Sequence, residues 1–237
     1  MKKILITGGD GRFASELRKV KTKFKLIFCG KKELDICSQK SINKNFSKYK
    51  PNYVLHLAGL SRPMKIHEKN IEDSILTNII GTANIVRVCK KLSIKLIYFS
   101  TNYVYPCTNG NYKETDALLP INNYGWSKLG GECAVQMLKN SLILRLAITD
   151  FPFNYNKAIK NAYSSFIYNK DFAKVLPNLI NEKGVLNIGG KRQSIYNFAK
   201  KMNPKIKSIM IKKNSKFPKD SSLNVKRFNQ ILKKNDK

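Results

Sequence analysis

Apolar and polar positions along this chain switch repeatedly between two patterns. Short apolar runs bounded by turn residues occur at Lys3–Thr7 (KILIT), Phe24–Cys29, Tyr53–Ala58, Lys95–Phe99, Leu142–Leu146 and Gly184–Ile188. Such runs are apolar throughout instead of alternating, which predicts strands buried on both faces of a parallel sheet. Segments with helical spacing lie between them: Arg12–Lys19, Gln39–Lys48, Asp73–Lys91, Tyr124–Leu138, Asp171–Ile180, Ser194–Lys200 and Val225–Leu232. In the longest of these, Ile75, Ile79, Ala83, Val86 and Lys90 follow the helical period. Ser194 is placed to cap its helix. Phe151–Tyr168 is aromatic and Asn-rich, with no clean period. Strands alternating with helices imply right-handed crossovers and a Rossmann-type, doubly wound α/β sheet.

Ligands of such sheets bind at the carboxyl ends of the strands. Small and hydroxylated residues gather there. Gly8-x-x-Gly11-x-x-Ala14 directly follows the first strand and opens a helix. Glycine permits a tight turn and lets backbone N–H groups approach a pyrophosphate at the helix N-terminus. Ala58-Gly59 ends the third strand, small enough for a flat nicotinamide nucleotide to lie across it. After the second strand stands Gly30-Lys31-Lys32, where an NAD-binding unit would carry an acid. Two cations there suit a 2′-phosphate, so NADPH is the expected cofactor, with NADH possible because Glu33 is close. Residues 1–150 are expected to form the NAD(P)-binding domain. Residues 151–237 are expected to form a smaller substrate-binding region that partly packs back on the sheet.

The stretch Ser100–Glu132 carries the candidate chemistry. A hydroxyl pair, Ser100 and Thr101, ends the fourth strand, and Tyr124-Gly-Trp-Ser-Lys128 opens the next helix. The i, i+4 spacing puts Tyr124 and Lys128 on one helix face. An ammonium beside a phenol favours the phenolate, so the phenol can exchange a proton with a carbonyl or alcohol oxygen that the hydroxyl orients. A second Tyr-x-x-x-Lys pair, Tyr196 and Lys200, lacks that context and reads as coincidence. His56 lies inside a strand and is expected to be a hydrogen-bonded core residue, while His67 receives no role. Asn78, on the long helix, could bridge backbone near the site or simply be a helix residue.

Composition narrows the partners. The formal charge of +30 invites nucleic acid, but the lysines are spread over the whole length and are not interleaved with aromatics in one patch. Specific nucleic-acid binding is therefore not expected, although anionic ligands will be attracted at low salt. No apolar stretch is long enough to span a membrane, and the short Ile4–Ile6 run after Met1-Lys2-Lys3 does not read as a signal peptide. Five cysteines without CxxC spacing and two histidines argue against zinc. Cys29, Cys89 and Cys133 are expected to be small buried hydrophobes in a reducing compartment, the cytoplasm.

Taken together, ITGGDGRFASEL, KKELDI, STNYVYPCTNGNYKETDALLPINNYGWSKLGGE and FPKDSSLN resemble the extended short-chain dehydrogenase/reductases, and among them the dTDP-4-dehydrorhamnose reductases. The resemblance implies an NAD(P)H-dependent reductase of a nucleotide-linked keto-sugar, with a homodimer possible. It implies that Thr101 orients the keto oxygen, Tyr124 donates the proton, and Lys128 tunes Tyr124 and holds the nicotinamide ribose. By the same resemblance Gly8, Gly11, Arg12 and Phe13 belong to the pyrophosphate loop and Asp35-Ile36 contacts adenine. Asn102-Tyr103 replaces the Asp-Glu pair of sugar-nucleotide dehydratases, which argues against dehydration. The stretch between Leu146 and Asp171 is shorter than the family's, implying a reduced substrate region. Epimerases share the hydroxyl, Tyr and Lys, so an NAD-dependent nucleotide-sugar epimerase stays open, as does a non-catalytic NAD(P)-binding regulatory subunit.

Overall fold

A computed structural model describes residues 1–153, 155–212 and 217–235. Six strands form one parallel sheet: β1 (Lys3–Thr7), β2 (Lys25–Cys29), β3 (Tyr53–His56), β4 (Lys95–Thr101), β5 (Ser141–Leu146) and β6 (Gly184–Ile188). Their spatial order is 2-1-3-4-5-6. Strand order reverses between β1 and β3, so the crevice between their carboxyl ends is where a ligand is expected. Leu5 is in register with Ile27 on one side and Val54 on the other. β4 pairs with β5 from Leu96 to Thr101.

The pleat divides the apolar runs between two cores. Ile4, Ile6, Leu55, Ile97, Phe99, Leu142 and Ile188 face one side, with Phe13 and Leu17 of α1 (Arg12–Leu17), Phe172 of α5 (Asn169–Val175) and Phe228 of α7 (Lys226–Asn235). Leu5, Val54, Leu96, Tyr98 and Ile143 face the other. There they meet Ile42 and Phe46 of α2 (Gln39–Tyr49), Ile85 and Val88 of the long helix α3 (71–91), and Val135 of α4 (Asn123–Gln136). Ser194 caps α6 (Ile195–Lys200), accepting the Asn197 N–H at 3.1 Å, as its position predicts.

Two local expectations need correction. α3 begins at Ile71 and is not a uniform α-helix: it runs as Ile71–Ser74, a π-helical Ile75–Gly81, then Thr82–Lys91. Its buried line is Ser74, Asn78, Gly81, Thr82 and Ile85, whereas Ile75 and Lys90 face outward. The inner side of its first half is polar, with Asn78 bonded to the Leu60 backbone after β3 and to Ser127 of α4, whereas Ile85, Val86, Val88 and Cys89 of its second half join the apolar core. Cys133 is exposed on α4, while Cys29, Cys89 and Cys107 are buried and all five thiols are free.

The chain after residue 150 divides between two layers. β6, α5 and α7 complete the main sheet and one core. Short strand pairs, Ile148–Thr149 with Ile167–Tyr168, Lys157–Ile159 with Lys207–Ile209, and Tyr163–Ser164 with Gln193–Ser194, form separate ribbons. Several of their residues wall the cavity described next.

Candidate active site

A cavity of about 640 Å³ opens at the carboxyl ends of the strands. Gly8, Gly11, Arg12, Phe13, Gly59, Thr101, Tyr124 and Lys128 line it, as do Ala158 and Ile159 from the C-terminal ribbons. Turn geometry explains the glycines. Gly8 has φ of 67°, and a Cβ there would lie 2.7 Å from the backbone nitrogen of Ala58, so only glycine lets the first turn sit against the end of β3. A Cβ on Gly59 would lie 3.1 Å from Asn78 Oδ1 and 3.7 Å from Lys128 Nζ. Gly8, Gly11 and Gly59 all line the cavity.

Thr101 and Ser100 are neighbours with different fates. Ser100 is buried and donates to Glu132 Oε2 at 2.6 Å. The Thr101 hydroxyl accepts the Tyr103 N–H at 3.3 Å, where a 3-10 turn takes over from β4, and hydrogen-bonds toward Tyr124. Asn122 caps α4 by accepting the Gly125 N–H at 2.8 Å, which fixes Tyr124 in the first turn. A Cβ on Gly125 would collide with the Tyr103 carbonyl, so glycine lets that turn pack flush on the loop after β4. The Tyr124 ring lies 5.0 Å from the His67 ring and 6.1 Å, edge-on, from Tyr103.

Electrostatics at these groups follow from burial first. Desolvation pushes the Tyr124 phenol up, opposed by the Thr101 hydrogen bond and by the positive charges of Arg62 and Arg12. Lys128 is buried, and desolvation pulls its ammonium down to about 7 against the attraction of Glu132. Its Nζ lies 4.2 Å over the Tyr98 ring. Arg62 and Arg12 are thus the positive charges that lower the Tyr124 phenol, while the Lys128 amine lies over the Tyr98 ring. Among the described residues no carboxylate lies within ion-pair distance of Lys128.

Other candidates sit elsewhere or do other work. Arg12 and Arg62 both pair with Asp150 Oδ2, at 2.6 and 3.0 Å. Phe13 lines the cavity with one edge but packs its ring 4.8 Å from Phe99 and 5.5 Å from Phe172. Ala58, Lys31, Asp35 and Ile36 are outside the cavity wall. Ala58 donates its N–H to Thr7 Oγ1 at 3.2 Å. Ile36 is core, with its side chain against Gly81, and Asp35 accepts the Cys37 N–H at 2.9 Å. Lys31 is exposed beyond the end of β2. His56 is fully buried between Thr7 Oγ1 at 2.7 Å and Thr82 Oγ1 at 3.1 Å, and burial holds it neutral, down to about 3. That is the core histidine its strand position implied.

Sequence patterns left several site residues without a role. Arg62 and Asp150 have no motif around them. Tyr103 follows the hydroxyls but no pattern singles it out. Asn78 is the exception: its amide accepts the Leu60 N–H at 2.8 Å and donates to Leu60 O at 2.9 Å and Ser127 Oγ at 2.8 Å. A lone Asn among apolar neighbours was the signal. The π-helical turn around it brings that amide to the loop after β3 and to α4 at once. Among the described residues no cluster of His, Cys, Asp and Glu could hold a metal, and no helix is long and apolar enough to cross a membrane.

The model of the RmlD substrate binding domain matches residues 1–190. The chain belongs to this family. The spore coat polysaccharide biosynthesis protein SpsK of Bacillus subtilis is 32% identical over 152 residues, 61% of this chain and 52% of that protein. Methionine adenosyltransferase 2 subunit beta of Xenopus laevis is 28% identical over 157 residues, 62% of this chain and 47% of that protein. The alignments thus span about half the length of these relatives. The crystal structure of dTDP-4-dehydrorhamnose reductase from Bacillus anthracis in complex with NADP superimposes with a TM-score of 0.86 at 22% identity, covering 97% of this chain and 93% of that one. Fold likeness therefore continues beyond the aligned sequence, over nearly the whole of both chains.

Proposed function

We propose that this family member is an NAD(P)H-dependent reductase of a nucleotide-linked keto-sugar, similar in chemistry to the dTDP-4-dehydrorhamnose reductases. One observation carries the reading: Thr101, Tyr124 and Lys128 converge on the same crevice as the Gly8 turn. The residues fit a dinucleotide, because glycine at position 8 lets the first turn pack on the end of β3 while Gly8, Gly11 and Gly59 all line the cavity. Gly8, Gly11, Arg12 and Gly59 would hold it. When bound, its reduced nicotinamide supplies the hydride. Tyr124 gives the proton to the carbonyl oxygen, which the Thr101 hydroxyl orients. Lys128, its ammonium disfavoured by burial, is stabilised in the charged form when anionic groups enter the cavity and then supports the Tyr124 phenolate.

The ribbons after residue 150 are read as the sugar-nucleotide side of the site. Free thiols support a reducing, cytoplasmic setting. Exposed Ile71, Ile75 and Ile80 on α3, with Trp126 on α4, support a homodimer formed through that face. Sedimentation would show a monomer if this is wrong.

The test is turnover of keto-sugar nucleotides with NADPH and NADH, wild type against Tyr124→Phe. A drop of about 10²–10⁴ in turnover with cofactor binding retained supports the assignment. Equal turnover would sink it. A second reading is favoured by the likeness to methionine adenosyltransferase 2 subunit beta: a cofactor-binding subunit of another enzyme. Cofactor binding without turnover of any keto-sugar nucleotide would select it.

A further inference from the structure

Sequence spacing puts no acid directly after β2, only Gly30-Lys31-Lys32. The fold supplies one from elsewhere. Gly9 N–H donates to Cys29 O at 2.8 Å, which ties the glycine turn to the end of β2. The next residue, Asp10, therefore projects its carboxylate directly over Gly30, so closely that a Cβ on Gly30 would collide with both carboxylate oxygens. Gly30 also donates its N–H to Glu33 Oε2 at 3.1 Å. Two carboxylates thus bracket one glycine, and Asp10 is exposed to solvent on its outer side. Cations nearby are committed or outward: Arg18 lies 4.0 Å over the Phe28 ring and donates to Gly9 O at 3.2 Å, while Lys31 and Lys32 are exposed.

We infer that Asp10 is a specificity-determining residue for the cofactor's adenosine end, accepting hydrogen bonds from a ribose that carries a free 2′-hydroxyl and repelling one that carries a 2′-phosphate. This rests on the dinucleotide reading above. The end of β2 is where an open α/β sheet holds that ribose, and a carboxylate there accepts from hydroxyls. A 2′-phosphate brings close to two negative charges beside Asp10 and Glu33. Lys31 and Lys32, exposed like Asp10, attract it. Asp10 and the lysine pair thus pull the NADH-to-NADPH balance in opposite directions.

The experiment is a set of binding titrations at 0.15 M salt. Cofactor fluorescence gives Kd for NADH and NADPH, and competition gives Kd for AMP and adenosine 2′,5′-bisphosphate, which probe the adenosine end alone. Asp10→Asn should shift both ratios at least tenfold toward the 2′-phosphorylated ligand. Lys31→Ala with Lys32→Ala should shift them the other way. Asp10 is exposed, so the variant is expected to fold, and Gly11→Asp provides a control that loses all four ligands. Ratios unchanged within twofold in Asp10→Asn, with binding intact, would overturn the inference while leaving the cofactor site standing. Failure of the wild type to bind any of the four would overturn both.

Discussion

Ser100 and Thr101 are consecutive on β4, and Lys128 and Glu132 are one turn apart on α4. These four residues nevertheless belong to two clusters built on opposite principles. In the inner one, Glu132 accepts from Ser100 at 2.6 Å and from Arg145 Nη2 at 2.6 Å. Arg145 also donates to Tyr105 at 2.7 Å, and Tyr105 donates to Asn187 at 3.0 Å. Glu132 is 1% and Arg145 3% exposed, and the network ties α4, β4, β5 and β6 together. In the outer cluster Lys128 is buried without a carboxylate at ion-pair distance, and Tyr124 is desolvated beside one hydroxyl. A buried charge with its partners in place specifies structure. A buried ionisable group left without a close counterion is held ready for something that arrives later.

That contrast can be broken experimentally. The largest effect is expected at Tyr124: turnover falls by about 10²–10⁴ in Tyr124→Phe, while urea midpoints stay close to wild type. A large stability loss instead would place Tyr124 in the inner cluster. Next comes Arg145→Met, which strands the Glu132 carboxylate and should lower unfolding free energy by about 3–5 kcal/mol. Denaturant melts check this, and a loss under ~1 kcal/mol would show that the network is not a stabilising unit.

Lys128 predicts a pH dependence with a definite sign. Its folded value of about 7 lies below the ordinary lysine value of 10.5. Between these limits the unfolded chain binds more protons than the folded one, so stability rises with pH across that window, by up to ~1.4 kcal/mol per pH unit. Lys128→Met should remove this slope in melts between pH 7 and 10. The smallest effect separates the neighbouring hydroxyls. Ser100→Ala should cost roughly 1–3 kcal/mol of stability with little change in kcat, because it removes a donor from a buried carboxylate. Thr101→Ala should do the reverse.

How much of this was legible in the chain depends on the range of the interaction. Strand and helix limits were readable because apolar period and turn residues are local: Lys3–Thr7 and Gly184–Ile188 match residue for residue. The long helix was misread in its first half, where Ser74 and Asn78 face inward while Ile71, Ile75 and Ile80 are exposed. Thr101, Tyr124 and Lys128 were legible because one strand end and one helix start carry them all. Asp35 and Ile36, expected at adenine, lie outside the cavity wall, one accepting the Cys37 N–H and the other packed against Gly81.

By itself the sequence determined the alternation of strands and helices, the glycine turn after β1, and the Tyr-x-x-x-Lys spacing that puts two groups on one helix face. These follow from steric rules acting over a few residues. Tertiary structure alone decided which hydroxyl faces Tyr124 and which meets the buried Glu132, since both partners lie on α4, apart from β4 in sequence. It also decided that Arg12 and Arg62 share Asp150, and that Asp10 covers Gly30. Charges distant in sequence become neighbours only after the sheet has closed, and the field at each site depends on that packing.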